Sequence, residues 1–448
     1  KMTNNKTTIE FVNHASVLIS FDKIGILSDP WYSQNIFHNG WRLLYENENN
    51  YINQVLDKTS HIYLSHEHPD HFNPKFLLTE NIKKKIIERN IVFLFQETKD
   101  KRVINFLKNQ GFKFLEVSSK KKIGDSVEIQ VMKHDFYDSS ISIETPDIKV
   151  LNLNDCPLRS IKDIKKFKKV FGTFDVLLTQ FSYAAWKGGE DEKIQRQKAA
   201  KEKLIDVYNQ SKILECKSVI PFASYIYFSN KNNFYMNDEI NTPATVIDYL
   251  KKHSIHSVIM KPGEKQILKE LKQDKLSLDF WEEKYNFSNS KKKIDTYNLN
   301  SSLLELNKNF TEYQKKIYNK NSKLLIFLLN KLSFFGLFQN INIYFIDKAK
   351  NYEYSILSGL KEAKKSKYDI SMHSESLFFI FKNEFGFDTL TVNGCFECSP
   401  KNFSKVSKTL AIGSLNAMGL NLNLSILLRL NIIILFFKKL IVFIRKLK

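Results

Sequence analysis

The sequence predicts an α/β protein with a smaller α+β region behind it and a basic amphipathic helix at its C-terminus. Three observations lead there. Short runs rich in β-branched and aromatic residues alternate with Lys-rich helical stretches through roughly the first 280 residues. A polar, low-complexity stretch, NFSNSKKKIDTYNLNSS (286–302), then interrupts the pattern. Beyond it the alternation does not resume, and 448 residues exceed the roughly 250–300 that a single core supports.

The elements follow in order. TIEFVNH, SVLISF and IGILSDPWY read as an opening β-meander that turns at Gly25. HIYLS (61–65) is a short buried strand that delivers the chain into SHEHPDHF. IVFLF (91–95), FKFLEV, VEIQVM (127–132), IKVLNLN (148–154) and FDVLLTQF (174–181) read as further strands. Residues 190–215 place apolar side chains at helical spacing, KSVIPFASYIYF returns to strand, and KPGE (261–264) closes the pattern in a turn. The expected organisation is a catalytic region over 1–280, a linker over 281–302, an accessory α+β region over 303–424 and a helix over 425–448. Within the accessory region LLIFLLNKLSFFGLF (324–338) reads as helix, and ISMHSESLFFIFK and DTLTVNG (370–394) as strand-like runs.

Composition bounds the function. With 43% hydrophobic and 26% charged residues the chain is globular, not disordered or fibrous. A net charge of +20 points to an anionic partner, although a Lys, Asn, Ile and Phe bias of the kind AT-rich coding produces supplies part of that excess. Four cysteines are too few for a disulfide scaffold and predict a reducing, cytoplasmic setting. The N-terminus KMTNNKTTIEF has no apolar core of a secretory leader. The last 24 residues, SILLRLNIIILFFKKLIVFIRKLK, are apolar but broken by Arg429, Lys438, Lys439, Arg445, Lys446 and Lys448. Crossing a bilayer takes about 20 nearly uncharged residues. The segment fits an anchor lying on an anionic membrane surface, which predicts a protein peripheral to the inner face of the membrane. A terminal helix packed on the accessory region is the rival reading.

The chemistry is concentrated in His66-Glu67-His68-Pro69-Asp70-His71, three imidazoles and a carboxylate within six residues just past a buried strand. Alternate residues point the same way, so His66 and His68 can grip one cation while Asp70 and His71 face a second. Imidazole with carboxylate suits zinc or iron, one or two ions. Glycine-rich phosphate loops, a serine nucleophile elbow and a Rieske-type Cys/His set are absent, and Cys395-Phe396-Glu397-Cys398 is a lone CxxC without a second pair.

SHEHPDHF resembles the signature loop of the metallo-β-lactamase superfamily. NHASVLIS and LSDPWY resemble the opening strands of the branch that includes ascorbate-6-phosphate lactonase, N-acyl-phosphatidylethanolamine phospholipase D and the metal domain of CMP-N-acetylneuraminate hydroxylase. LLTQFSYAAW and IPFASYIYFSNKNNFYMND are similar to bacterial proteins related to that hydroxylase. The resemblance implies a four-layer αββα sandwich, with His66 and His68 on metal one and Asp70 and His71 on metal two. It asks for a third metal-one histidine after a strand, for which His134 is the candidate, and for a bridging carboxylate, for which Asp155 is the candidate. It also asks for a metal-two histidine near Phe222, Ala223 and Ser224, where none stands; Asn230, His14, His253 and His256 are the possible substitutes.

Tyr183, Trp186, Tyr225, Tyr227, Asn233 and Tyr235 are candidate substrate contacts, against the reading that strand aromatics pack a core. Lys187, Lys231 and Lys261 are candidates to meet a phosphate. The expected activity is metal-dependent hydrolysis through a metal-activated water oriented by Asp70. The expected substrate is an anionic small-molecule or lipid-linked one: a nucleotide sugar, a glycan precursor or a phospholipid. The alternative is an iron-dependent oxygenase of the hydroxylase type, fed by a separate electron-donor protein. No nucleic-acid partner is expected.

Overall fold

The computed structural model describes residues 6–287, 292–331, 336–364 and 367–423; the expected helix over 425–448 lies outside them. A seven-stranded sheet runs, edge to edge, through Lys265–Ile267, Thr8–Asn13, Ser16–Phe21, Ile24–Ser28, His61–Tyr63, Val92–Gln96 and Lys113–Val117. A six-stranded sheet runs through Ser218–Phe222, Val176–Gln180, Lys149–Asn154, Ser139–Glu144, Val127–Lys133 and Lys121–Ile123. Strand periodicity of two explains how they stack. Ile9, Phe11, Val17 and Ile19 of the first sheet share one core with Val150, Val176 and Leu178 of the second. Their neighbours Val12 and Leu18 face the helices Asn49–Lys58, Glu80–Glu88 and Arg102–Asn109, whereas Leu151 and Leu177 face Ile161–Phe171. Two sheets face to face with helices outside each make the four-layer αββα sandwich that the resemblance implies.

Each sheet begins as antiparallel hairpins and continues in parallel: Ile24–Ser28, His61–Tyr63 and Val92–Gln96 in one, Lys149–Asn154, Val176–Gln180 and Ser218–Phe222 in the other. Parallel strands bring their carboxyl ends to one edge, which is where side chains from several strands can meet. Asp29, His66, Asp155 and Ala223 each follow such a strand end.

The helix Lys275–Tyr285 carries the first core past its expected end at 280, because Trp281 and Tyr285 are buried against Phe11 and Tyr225. The stretch after it is tied down as well: Asp295 accepts from Arg42 Nε and Nη2 (both 2.8 Å) and from Ser229 Oγ (2.7 Å).

Further on, a five-stranded sheet, in the order Gly359–Glu362, Lys350–Ser355, Ile341–Phe345, Ile370–Met372 and Phe396–Glu397, packs on Leu303–Lys320 around its own apolar cluster. Ser302 and Glu305 cap that helix reciprocally. The apolar run expected from 324 is helical over Lys323–Lys331. The strand-like reading of 370–394 is corrected: only Ile370–Met372 is strand, and Ser374–Lys382 and Gly386–Asn393 are helices. Asp347 accepts from Ser374 N–H (2.8 Å) and His373 caps Glu375 N–H, so a helix starts where the apolar alternation continues. Leu377, Ile380 and Phe381 then bury a helical face, not a strand face. No helix among the described residues is long and apolar enough to cross a membrane.

Candidate metal centre

The strand His61–Tyr63 ends in Leu64 and Ser65, and the next six residues turn back so that His71 and Phe72 N–H both reach the His68 carbonyl (2.9 and 2.7 Å). This tight loop points His66, His68, Asp70 and His71 into one space. His66 Nε2 and His68 Nδ1 approach to 2.9 Å, and His71 Nε2 lies 3.1 Å from Asp70 Oδ2 and 3.5 Å from Asp155 Oδ2. His66 Nε2 is 3.9 Å from Asp155 Oδ2. Asp155 gets there because Asn154 adopts a left-handed backbone (φ 51°), at a register shift in the ladder with the next strand.

The outer ring nitrogens decide what the inner ones can do. Asp29 is buried and accepts from Ser65 N–H (2.8 Å), Ser65 Oγ (2.8 Å) and His71 Nδ1 (2.9 Å). Ser65 Oγ, having donated to Asp29, accepts from His66 Nδ1 at 3.0 Å. His68 Nε2 faces Asp388 Oδ2 at 3.4 Å. In all three histidines the outer nitrogen carries the proton, which leaves the inner lone pair for a cation. Among the described residues, buried Asp70 Oδ1 and Asp155 Oδ1 have no hydrogen-bond partner, and His71 Nε2 meets only the Asp70 and Asp155 carboxylates as ion-pair neighbours. Asp70 and Asp155 each place a carboxylate oxygen within 4.8 Å of a His71 ring nitrogen, and a cation seated among them would satisfy all three. The donor set, imidazole nitrogens with carboxylate oxygens, fits zinc or iron.

Electrostatics agrees. Burial alone would lower the His71 pKa, but Asp70, Asp155 and Asp29 together hold it well above the ordinary value. Burial would likewise raise Asp70, and the His71 charge with the His14 hydrogen bond holds it well below the carboxylate range. The carboxylates demand a positive charge in their midst. A metal ion is the stronger way to supply one.

His14 joins the site on the metal-two side, 3.4 Å from Asp70 Oδ2. Its Nδ1 accepts from Tyr225 N–H (3.2 Å) and its carbonyl accepts from Ala223 N–H (2.9 Å), so it fills the space beside the position where a histidine is missing. With Nδ1 already an acceptor, the neutral ring carries its proton on Nε2 and donates it to Asp70. His14, Asp70 and His71 are close enough to share an ion, but this tautomer makes His14 the group that aims Asp70. Asn230 is held in a loop by Asn233, His253 lies against Tyr249 and His256 bonds Ser218; all three stand apart from the cluster.

His134 does not reach the cluster. Its ring stacks on Phe167 of the outer helix layer (5.6 Å) and its Nε2 bonds Ser140 Oγ (2.9 Å). Asp138, at the far side of the same hairpin, takes the inward place, 3.9 Å from His66 Nε2. Burial and the nearby Asp155 raise its carboxyl to about 7. Cys156 packs in the outer apolar layer.

Of the six aromatic and amide candidates, five are engaged in contacts within the protein. Tyr225 is packed between Phe11 and Trp281, and Tyr227 bonds the Lys293 carbonyl. Asn233 ties Gly40 to Asn393, Tyr235 lies under Arg196, and Trp186 packs on Phe396 and Phe403. Tyr183 alone borders a cleft next to Asp155. Asp29, Ser65, Asp138 and Asp388 were not singled out from the sequence as site residues, although Asp29 lies in the LSDPWY stretch.

Replacing Asp29 by alanine is expected to leave three buried donors without an acceptor. The cost is about 3 kcal/mol or more. Denaturant titration of the metal-free variant should show it as an earlier midpoint, and an unchanged midpoint would contradict this role.

No family model matches the chain. It is 21% identical over 275 residues to the cytidine monophosphate-N-acetylneuraminic acid hydroxylase of Danio rerio, a match covering 57% of this chain and 44% of the relative, so it spans less than half that protein's length. Among solved structures it is similar to CmlA, a diiron β-hydroxylase from Streptomyces venezuelae (TM-score 0.40, 16% identity, 60% of this chain and 55% of that one). It is also similar to Igni18, a metallo hydrolase from Ignicoccus hospitalis (TM-score 0.38, 14% identity, 58% and 97%). A third is YhfI of Bacillus subtilis, a metallo-β-lactamase fold protein (TM-score 0.39, 10% identity, 59% and 99%).

Proposed function

We propose that this metallo-β-lactamase-fold chain is a metal-dependent hydrolase of an anionic substrate such as a nucleotide sugar, a glycan precursor or a phospholipid. The observation that carries the reading is a set of buried atoms without a hydrogen-bond partner among the described residues, Asp70 Oδ1, His71 Nε2 and Asp155 Oδ1, beside histidines whose outer nitrogens are already committed. His66, His68 and Asp155 would hold one ion, and Asp70, His71 and Asp155 a second. When bound, such a cation, zinc or iron, lowers the pKa of a coordinated water from ~15.7 towards ~7 and polarises a scissile carbonyl or phosphoryl oxygen. Asp70, held on its other oxygen by His14, offers Oδ1 to accept a proton from that water and fix its direction. Asp29 and Ser65 keep the imidazoles in their working tautomer. The net charge of +20 favours an anion and, through the basic C-terminal segment, contact with an anionic membrane surface.

One observation favours a second reading. Asp138 stands where a histidine was expected, so three carboxylates share the site with three histidines, an oxygen-richer set that suits iron. Together with the likeness to the hydroxylase of Danio rerio, this supports an iron-dependent oxygenase that takes electrons from a separate protein. Elemental analysis of protein from its native host, paired with aerobic and anaerobic turnover of nucleotide sugars, separates the two. Hydrolysis that proceeds without oxygen is the expected result. Product formed only with oxygen, on two bound irons, would replace the hydrolase with the oxygenase.

A further inference from the structure

A cleft of about 290 Å³ opens directly beside Asp155, between the carboxyl end of Val176–Gln180 and the long helix Lys193–Ile213. Its walls carry three cations, Arg159, Lys187 and Lys203, against two carboxylates other than Asp155, namely Glu202 and Asp206. The pairing is incomplete. Among the described residues, Arg159 lies 3.8 Å from Asp206, the Lys203 ammonium donates to the neutral Gln180 Oε1, and Lys187 has neither a hydrogen bond nor an ion pair. Both lysines are half-buried, and burial pushes Lys187 down and Lys203 down to about 7. Glu202, Asp206 and Asp155 act on these ammonium groups only from beyond ion-pair distance, and an oxyanion bound in the cleft would supply the direct partner that they lack. Another lysine-lined depression, around Lys165, Lys168, Lys169 and Lys212, is a patch on the protein surface far less enclosed than this cleft.

We propose that this cleft is the anion subsite of the substrate, taking a phosphate-type oxyanion on Arg159, Lys187 and Lys203 and so setting the rest of the molecule against the metal centre at Asp155. This rests on the metal-dependent hydrolase reading and narrows it to substrates with a phosphoryl group close to the scissile bond. Tyr183 and Ala184 line the same cleft and supply apolar surface for the portion attached to that group. Gln180 serves as the placeholder that orients Lys203 until an anion arrives.

The test is calorimetric titration of inorganic phosphate into the full chain, metal-loaded and chelator-treated, with Arg159→Ala, Lys187→Ala and the surface pair Lys168→Ala/Lys169→Ala as the control. The expected result is saturable binding of one phosphate in both metal states, weakened about 10-fold by each cleft substitution, the size of one charge-assisted hydrogen bond, and unchanged in the control. Circular dichroism and melting of each variant separate loss of binding from loss of fold. Should Lys187→Ala melt early, Lys187→Met keeps the apolar stem and is read in its place. Phosphate binding that needs the metal and ignores both cleft substitutions would overturn the subsite and leave the hydrolase reading standing. Binding reduced equally by the surface control would overturn it too. Binding that persists with the expected dependence in a chain unable to take up metal would support the subsite and sink the hydrolase.

Discussion

Asp155→Ala is expected to lower the affinity for each ion it faces by at least about 10²-fold, and turnover with it. Tightly held zinc is worth ~10–16 kcal/mol over about four ligands, so each ligand carries roughly 3 kcal/mol. Asp155 is the carboxylate that comes within 3.5 Å of His71 Nε2 and 3.9 Å of His66 Nε2, so its loss is felt on both sides of the site. The diagnostic part is the metal content. Burial would raise the Asp155 carboxyl, but His71 and His66 hold it well below the ordinary carboxylate range, so removing it takes a counter-charge from the imidazoles of the metal-free protein. The metal-free variant should therefore melt earlier than the parent, and metal content by plasma emission should fall in protein that is still folded. An earlier melt with metal content unchanged would make Asp155 a structural residue and remove the bridge between the two halves of the site.

The metal loop was legible because its signal is local. Three histidines and an aspartate in six residues after an apolar strand have little structural use, and the strands around them obey a period of two that the sandwich then realises. What escaped is set by contacts between distant segments. Asp29 lies 42 residues from His71 and Asp388 lies in the C-terminal sheet region, and no periodicity tells which loops meet at a sheet edge. His134 and Asp138 illustrate the limit. His134 N–H donates to the Asp138 carbonyl (2.8 Å), so both side chains leave the same hairpin neck, and the choice between them is made by Phe167, which draws the imidazole into the outer layer. The aromatic cluster near 225 was left open between substrate contact and core for a related reason. Tyr225 and Tyr227 sit on strand positions whose neighbours, Phe11, Trp281 and the Lys293 carbonyl, come from other parts of the chain, and those neighbours bury them. The helix Ser374–Lys382 was missed because His373 and Asp347 start it through side-chain caps that an apolar run conceals.

Asp388→Asn should weaken metal binding about 10- to 100-fold without disturbing the fold, the range found when an outer partner of a metal-bound histidine is removed. The reasoning starts from the His68 ring. Its Nδ1 meets His66 Nε2 at 2.9 Å, so its Nε2 is the outer nitrogen, and the group facing that nitrogen is the Asp388 carboxylate at 3.4 Å. Asp388 belongs to the helix Gly386–Asn393, whose seat against the N-terminal sandwich is fixed elsewhere. Thr391 carbonyl accepts from Trp186 N–H (3.0 Å), Asn393 Nδ2 donates to the Phe37 carbonyl (3.0 Å), and Arg102 lies over the Phe385 ring. An amide at 388 keeps that seat and removes only the charge that steadies the imidazole. Glu384→Gln, which alters an exposed partner of Arg102 one helical turn away, serves as the control and should leave affinity unchanged. Burial would lower the His68 pKa, but Asp388 raises it to about 9, so in the parent a proton competes with the cation below that value and masks part of the loss. Competition titrations with a chromogenic chelator are therefore compared above pH 9. If the two proteins bind metal equally there, the C-terminal region has no hand in the site, and the Asp388 contact is only a surface ion pair.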